Sequence, residues 1–221
     1  AAYLASAEIF DPGTGTFAPV SSPMTAMRAG HSATVLADGR VLLAGGRGDD
    51  ALTFDVNIQS LGDNIAPDIV MIDDSLGLVP YTGSGVIVAF SPATGEVSGK
   101  IRTGGKPASI VPYENGQKLA AVSVLDNRIF ILDVSTLAHE ATYTFSGSFG
   151  FGSRLALSPD ETTGYVSSTA TGEVIKFSLA TGAELGRLRG LSAPAQITLT
   201  GDGRTLLIVD TVAENVVIAD A

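Results

Sequence analysis

The sequence predicts an all-β protein built from radially repeated, four-stranded antiparallel sheets. Two observations lead to this fold class. Apolar segments joined in pairs by short polar turns recur along the 221-residue chain. In addition, no long segment places apolar residues at the helical spacings of 3, 4 and 7, while Gly, Thr, Val and Ile dominate between the turns. We therefore expect almost no helix.

The repeated unit begins with a hairpin whose turn carries Asp, Asn or Gly. Its five copies are centred on Asp38, Asp74, Asn115, Asp160 and Asp202, at intervals of 36, 41, 45 and 42 residues. Periods of this length are typical of propeller blades, whereas leucine-rich and hexapeptide solenoids have much shorter ones. The sequence therefore predicts a β-propeller, whose radial closure protects sheet edges. A β-sandwich is the alternative fold.

Third strands rich in aromatic or branched residues alternate with these hairpins along the chain, and a fourth strand follows over another turn. The third strands are expected at Ala7–Phe10, Leu52–Phe54, Val86–Phe90, Arg128–Leu132, Val174–Phe177 and Val216–Ala219. About five blades are therefore visible, with one third strand in excess. Either the strand near Thr16 to Val20 completes the last sheet and leaves the strand at Glu8 over, or the chain belongs to a larger propeller.

The first part of the chain resembles bacterial kelch repeats of the galactose-oxidase-like kind. The resemblance rests on Ser6 to Phe17 and on Arg28 to Gly46, where the diglycine Gly45-Gly46 follows the second strand of the hairpin. Phe10 and Phe17 occupy the positions that usually hold Tyr and Trp. Oxidase chemistry of that family needs a Tyr-Cys cross-link at copper, and this chain has no cysteine.

The remainder resembles propeller repeats of the YVTN and NHL-like kind. The clearest stretch is Leu157 to Val166 followed by Gly172 to Phe177, and similar segments recur at Asn115 to Val122 and Gly201 to Val209. We expect one propeller domain over residues 1–221, with kelch-like blades in 1–64 and YVTN/NHL-like blades in 65–221. Both resemblances imply the same fold.

These families are mostly exported or cell-surface proteins of bacteria and archaea that serve as binding platforms. The resemblance therefore implies a non-catalytic binding or structural module, located outside the cell, on its surface or in the periplasm. Its partner would be a protein, a carbohydrate or a second copy paired through an open sheet edge. The alternative is a propeller enzyme, a lyase or hydrolase, with its site at the mouth of the central channel.

Composition argues against several other functions. The formal net charge is −10, from 13 basic and 23 acidic residues, which would repel the phosphates of nucleic acids and anionic lipids. No apolar run approaches the roughly 20 residues that a membrane-spanning helix needs. We expect no nucleic-acid binding, no membrane insertion and no cofactor.

The candidate binding residues are Arg28, His31, Phe149, Phe151 and Arg154. His31 lies in the kelch-like stretch Gly30 to Thr34, where a structural role is favoured over a functional one. Phe149 and Phe151 alternate with glycines, which predicts an exposed loop. Arg28 or Arg154 would serve the enzyme hypothesis near the channel.

Carboxylates are dense between residues 49 and 74, and hard cations such as calcium prefer oxygen ligands. Asp49, Asp50, Asp73 and Asp74 are the weak calcium candidates, but they lack the Asp-x-Asp-x-Asp-Gly spacing of a calcium loop. Solvated turn carboxylates are therefore the favoured interpretation, and the sequence predicts no metal site.

Overall fold

The computed structural model describes residues 5–11, 13–20, 24, 29–35, 41–47 and 68–221. All regular structure in these residues is β-strand. None of their segments forms a helix that could cross a membrane. The expected turn at Asp38 and the third strand expected at Leu52–Phe54 lie outside the described residues.

The strands are numbered in chain order. They are β1 (Glu8–Asp11), β2 (Thr16–Pro19), β3 (Ala29–Val35), β4 (Val41–Arg47), β5 (Val70–Asp73), β6 (Leu76–Tyr81), β7 (Val86–Phe90), β8 (Val97–Arg102), β9 (Pro107–Tyr113), β10 (Lys118–Ser123), β11 (Arg128–Asp133), β12 (Ala138–Thr144), β13 (Leu155–Leu157), β14 (Thr163–Ser168), β15 (Glu173–Ser178), β16 (Glu184–Leu188), β17 (Pro194–Leu199), β18 (Thr205–Asp210) and β19 (Asn215–Asp220).

Consecutive strands pair antiparallel in separate sheets. Strands β5–β8, β9–β12 and β13–β16 form sheets of four strands each, and β17–β19 form a sheet of three. Strands β1 and β2 pair with each other, as do β3 and β4. This arrangement confirms the predicted propeller of four-stranded antiparallel blades.

Side-chain hydrogen bonds hold the hairpin turns that mark the repeat. In the turn before β14, Asp160 accepts hydrogen bonds from the Ser158 hydroxyl, at 2.5 Å, and from the Thr162 amide, at 3.2 Å. Asp202 accepts in the same way from Thr200 and from the Arg204 amide in the turn before β18. Gly203 takes a φ of 69°, which costs glycine little because it has no Cβ. The Asp and Gly that identified the turns in the sequence therefore form them.

The core lies between successive sheets. Residues alternate across each strand, so that Ala120 and Val122 of β10 face the β13–β16 sheet, while Leu119 and Ala121 face the β5–β8 sheet. In the three four-stranded sheets the second and third strands are mostly buried, whereas the fourth strands β8, β12 and β16 are more exposed. The β9–β12 and β13–β16 blades are thus stabilised by packing on both faces.

The structure decides between two expectations about the first strands. The segment near Thr16 forms β2, which pairs with β1 from Glu8↔Pro19 to Asp11↔Thr16. It therefore does not complete the last sheet, and within the described part of the chain β19 has β18 as its partner strand and an outer edge that is unpaired. The last sheet has three strands.

Candidate functional site

The first strands of successive blades lie side by side. Strand β5 contacts β9, β9 contacts β13 and β13 contacts β17, which places these four strands around the propeller axis. Each of these first strands follows the fourth strand of the preceding blade, so all of them start at the same end of the propeller axis. We call this end the channel mouth. Asp68 and Arg154 stand just before β5 and β13, and Ser109 is the third residue of β9.

Asp68 stands two residues before β5, with its carboxylate turned towards the next blade. One oxygen accepts from the amide of Ile69 at 2.9 Å, and the other accepts from the amide of Ile110 on β9 at 3.0 Å. Burial raises the pKa of Asp68 above its ordinary value of 3.8, although these amides, Arg154 and Ser109 act in the opposite direction. The result is a carboxyl group that holds its proton more tightly than an exposed aspartate.

Part of the role of Asp68 is structural. One blade further on, the hydroxyl of Ser109 accepts from the amide of Leu155 at 3.3 Å, so Ser109 links β9 to β13 much as Asp68 links its own blade to β9. A serine is sufficient for such a link. The link between blades therefore does not require the negative charge of Asp68. Charged groups in partly buried clefts are common at functional sites.

Arg154 supplies the opposite charge at the mouth. Among the described residues its guanidinium has one hydrogen-bond partner, the carbonyl of Ser153 at 3.1 Å, and it acts on Asp68 through space. Because a guanidinium carries five N–H donors, most of those on Arg154 are available to a bound molecule. Its own amide donates to the Ser167 hydroxyl at 2.8 Å, which fixes the backbone at this point.

A basic pocket of about 240 Å³ opens on the same face of the protein. Its walls carry Arg102 and Lys106, and Ser84 with the glycines 85, 104 and 105 supplies the backbone. Lys106 donates to the carbonyl of Gly83 at 2.7 Å, while its side chain is largely exposed. Two cations beside glycine backbone suit an anionic group.

The structure brings few of the sequence-predicted residues together. Arg154 stands one residue before β13 and acts electrostatically on Asp68. His31 lies in β3, paired with Gly45. Arg28, Asp49 and Asp50 lie outside the described residues.

The loop prediction for Phe149 and Phe151 is half wrong. Phe149 is 1% exposed and packs in the core with Phe145, at a ring-centroid distance of 6.1 Å. The carbonyl of Phe149 accepts from the amide of Leu125, and its own amide donates to the side-chain oxygen of Asn127. These two bonds hold the loop against the β9–β12 blade. Phe151 is 57% exposed, so it presents its ring to solvent as predicted.

The calcium candidates that the structure describes lie in one turn. Asp73 accepts from both the amide and the hydroxyl of Ser75 at 2.7 Å, and Asp74 beside it is exposed. Within the described ranges, no three acidic or histidine side chains converge as a metal site would require.

Asp68 was missed by sequence reasoning. It follows Ala66-Pro67 at the start of a predicted hairpin, where one more acidic residue in an acidic chain carries no signal. The available clue was positional, because Asp68 and Arg154 both stand at the start of a first strand. Asp68 and Arg154 come close together only because the first strands of successive blades lie side by side.

Comparison with known proteins supports the fold. No protein-family model matches the chain, and no curated protein matches it. Among solved structures, it is similar to a proposed 6-phosphogluconolactonase from Bacteroides fragilis, with a TM-score of 0.70, 16% identity, and coverage of 97% of this chain and 72% of that one. The class of protein is therefore a β-propeller.

This comparison corrects the main functional hypothesis drawn from the sequence. The non-catalytic binding module was favoured because no set of catalytic residues could be identified in the sequence. The similar structure carries the name of an enzyme, which favours the alternative hypothesis of a propeller enzyme. At 16% identity, the likeness itself extends to the fold alone.

Proposed function

We propose that this protein is a hydrolase of cyclic or linear esters, with its active site at the channel mouth that holds Asp68 and Arg154. The observation that carries the proposal is the partly buried carboxyl of Asp68, whose pKa is raised by burial, within electrostatic reach of a guanidinium with unused donors. A base and a cationic hydrogen-bond donor are the two groups that ester hydrolysis needs.

The reaction assigns one task to each group. The ionised carboxylate of Asp68 removes a proton from a water molecule, whose oxygen attacks the ester carbonyl carbon. Negative charge then develops on the carbonyl oxygen, where the Arg154 guanidinium stabilises it. As the carbon–oxygen single bond of the ester breaks, the departing oxygen takes the proton from Asp68, and the products are a carboxylic acid and an alcohol.

The substrate class we propose is a sugar-acid lactone that carries an anionic group. Two features support it. The pocket of Arg102 and Lys106 opens on the same face as the channel mouth and suits a phosphate or carboxylate. The structurally similar protein is named as a proposed lactonase of a phosphorylated sugar acid.

The proposal is tested by lactone hydrolysis, followed by proton release after correction for the spontaneous reaction. Asp68→Asn is expected to lower kcat/KM by about 10²–10⁴-fold, the usual contribution of a general base. Arg154→Gln is expected to lower it by about 10²–10³-fold, as for loss of an oxyanion donor. Asp74→Asn and Arg204→Gln remove the same charges at exposed sites, and they should leave the rate unchanged.

The pH dependence gives a second test. Because Asp68 acts as a base, the rate should rise with pH through its pKa, which lies above 3.8. Comparing the lactone of 6-phosphogluconate with that of gluconate tests the basic pocket, since Arg102→Gln should lower the rate only for the phosphorylated substrate. Hydrolysis by folded Asp68→Asn protein at the wild-type rate would overturn the proposal.

A further inference from the structure

A second pocket lies at the opposite end of the strands, between the β9–β12 and β13–β16 blades. Its volume is about 320 Å³. The lining comes from the end of β9 and the following turn, from β10, β11 and the middle of β12, and from the turn before β14 and the residues after β15. Since β9 runs from the channel mouth to this pocket, the two sites lie on different faces of the protein.

Tyr113 is a buried lining residue of this pocket that carries a polar group. Its side chain lines the pocket, and the residue is only 5% exposed. Its hydroxyl makes no hydrogen bond with any described residue, yet it is not among the polar atoms sealed from solvent. A buried phenol without a partner costs stability unless something else bonds it. The hydroxyl therefore opens into the pocket.

The charges around Tyr113 are predominantly negative. Glu114, Glu140 and Glu161 line the pocket with one cation, Lys118. The ammonium of Lys118 lies 3.5 Å from Glu114 and 3.3 Å from Glu140, and one carboxylate oxygen of Glu161 accepts from the Glu114 amide at 2.9 Å. Three carboxylates facing one ammonium leave the pocket with an excess of two negative charges.

These carboxylates also lie close to the phenol. Burial is the main cause that raises the pKa of Tyr113, and Glu114, Glu140 and Glu161 add to it, so the hydroxyl stays protonated at neutral pH. The neighbouring Tyr143 donates its hydroxyl to the Leu179 carbonyl at 2.8 Å, which holds its ring at the side of the pocket. The pocket thus offers carboxylate oxygens, one unpaired phenol and aromatic surface.

We propose that this pocket binds an organic cation with a primary ammonium group, of the size of a small diamine. An ammonium carries three N–H donors, and the acceptors available to it are Glu161, Glu140 and the hydroxyl oxygen of Tyr113. Tyr113 and Tyr143 add aromatic surface to the lining. Converging metal ligands are absent from the described residues, which favours an organic cation over a metal ion.

The test uses putrescine as the probe and 1,4-butanediol as its uncharged counterpart, with heat measured on titration. We expect putrescine to bind and butanediol not to bind. Glu161→Gln should weaken putrescine binding by about tenfold or more, since it removes a charged hydrogen-bond acceptor. Tyr113→Phe keeps the ring and removes the hydroxyl, and it should weaken binding by several-fold.

Glu96→Gln is the matched control, because Glu96 is an exposed carboxylate in the turn between β7 and β8. It removes the same charge from a chain of net charge −10 and should leave binding unchanged. If Glu96→Gln weakened putrescine binding as much as Glu161→Gln does, binding would depend on the overall charge of the protein. If butanediol bound as tightly as putrescine, the ammonium groups would have no role in recognition. Either outcome, or no binding by the folded wild-type protein, overturns the proposal.

Discussion

At the scale of single residues, the aspartates fall into two groups with opposite behaviour. In the exposed turns, Asp73, Asp133, Asp160 and Asp202 accept hydrogen bonds from neighbouring amides and hydroxyls, which lowers the pKa of each. At Asp68 burial is the largest influence and raises the pKa. The same residue type therefore stabilises turns at the surface and offers a base at the channel mouth.

Asp133 gives the clearest test of the turn aspartates. It accepts from the Thr136 amide and hydroxyl and from the Ser135 hydroxyl, and these bonds lower its pKa to about 2. Since the folded-state pKa is depressed, the stabilisation from Asp133 is present above about pH 4 and is lost as the pH falls through about 2.

Substituting both hydroxyl residues, Ser135→Ala and Thr136→Val, leaves the Thr136 amide as a donor. We expect the pKa of Asp133, measured by NMR titration of its carboxyl carbon, to rise to a value between about 2 and 3.8. Ser98→Ala on β8 is the control and should not move it. An unchanged value in the double variant would show that the hydroxyls contribute nothing.

The functional residues were harder to predict than the turns for a physical reason. The turn aspartates act on partners two or three residues away, so the local sequence contains the whole interaction. Asp68 acquires its chemistry from burial and from Ile110 and Arg154, which are distant in sequence. Phe149 is a similar case, because its glycine-rich surroundings suggest a loop while its ring fills the space between blades.

At the scale of the strands, the second and third strands of two blades meet through a glycine opposite a phenylalanine. Gly77 pairs with Phe90 between β6 and β7, and Gly164 pairs with Phe177 between β14 and β15. In both places a Cβ on the glycine would collide with the aromatic ring. The glycine therefore makes room for a ring that fills the space between blades, and the repeat carries a packing signal in addition to its turn signal.

Gly164→Ala tests this role of glycine. The ring of Phe177 is fully buried and a Cβ on Gly164 would collide with it, so we expect a loss of about 1–3 kcal/mol in the free energy of unfolding, as for other overpacked cores. For a chain of this size that corresponds to a fall in Tm of roughly 2–4 °C per kcal/mol.

The matched control is Gly186→Ala on β16, where a Cβ would meet nothing within 4 Å. Its effect should stay within about 0.5 kcal/mol. Both variants are compared by thermal unfolding in the same buffer. Equal losses would mean that glycine is required for strand conformation in general and not to make room for Phe177.

At the scale of the whole molecule, the blades differ in how their outermost strands end the sheet. The fourth strands carry exposed charges, with Lys100 and Arg102 on β8, Glu140 on β12 and Glu184 on β16. Charged side chains of this kind discourage pairing with other chains. Strand β19, the third in its sheet, has the sequence Asn-Val-Val-Ile-Ala-Asp and exposes Val216 and Ile218 by 59% and 72%. Its four central residues carry no charge, so this edge lacks the protection that the fourth strands have.

We propose that β19 pairs with β19 of a second copy. In an antiparallel pair centred between Val217 and Ile218, Asn215 lies opposite Asp220, so no two carboxylates face each other across the pair.

Sedimentation of the wild-type protein at rising concentration should show a monomer–dimer equilibrium. The double variant Val216→Lys and Ile218→Lys places two charges on an exposed edge, and it should remain monomeric with an unchanged fold. Leu125→Lys, at a turn residue that is 54% exposed, makes the same kind of change away from the edge and should leave dimerisation intact. A wild-type protein that stays monomeric over the whole concentration range, or a double variant that dimerises as strongly as the wild type, would show that the β19 edge is not the contact.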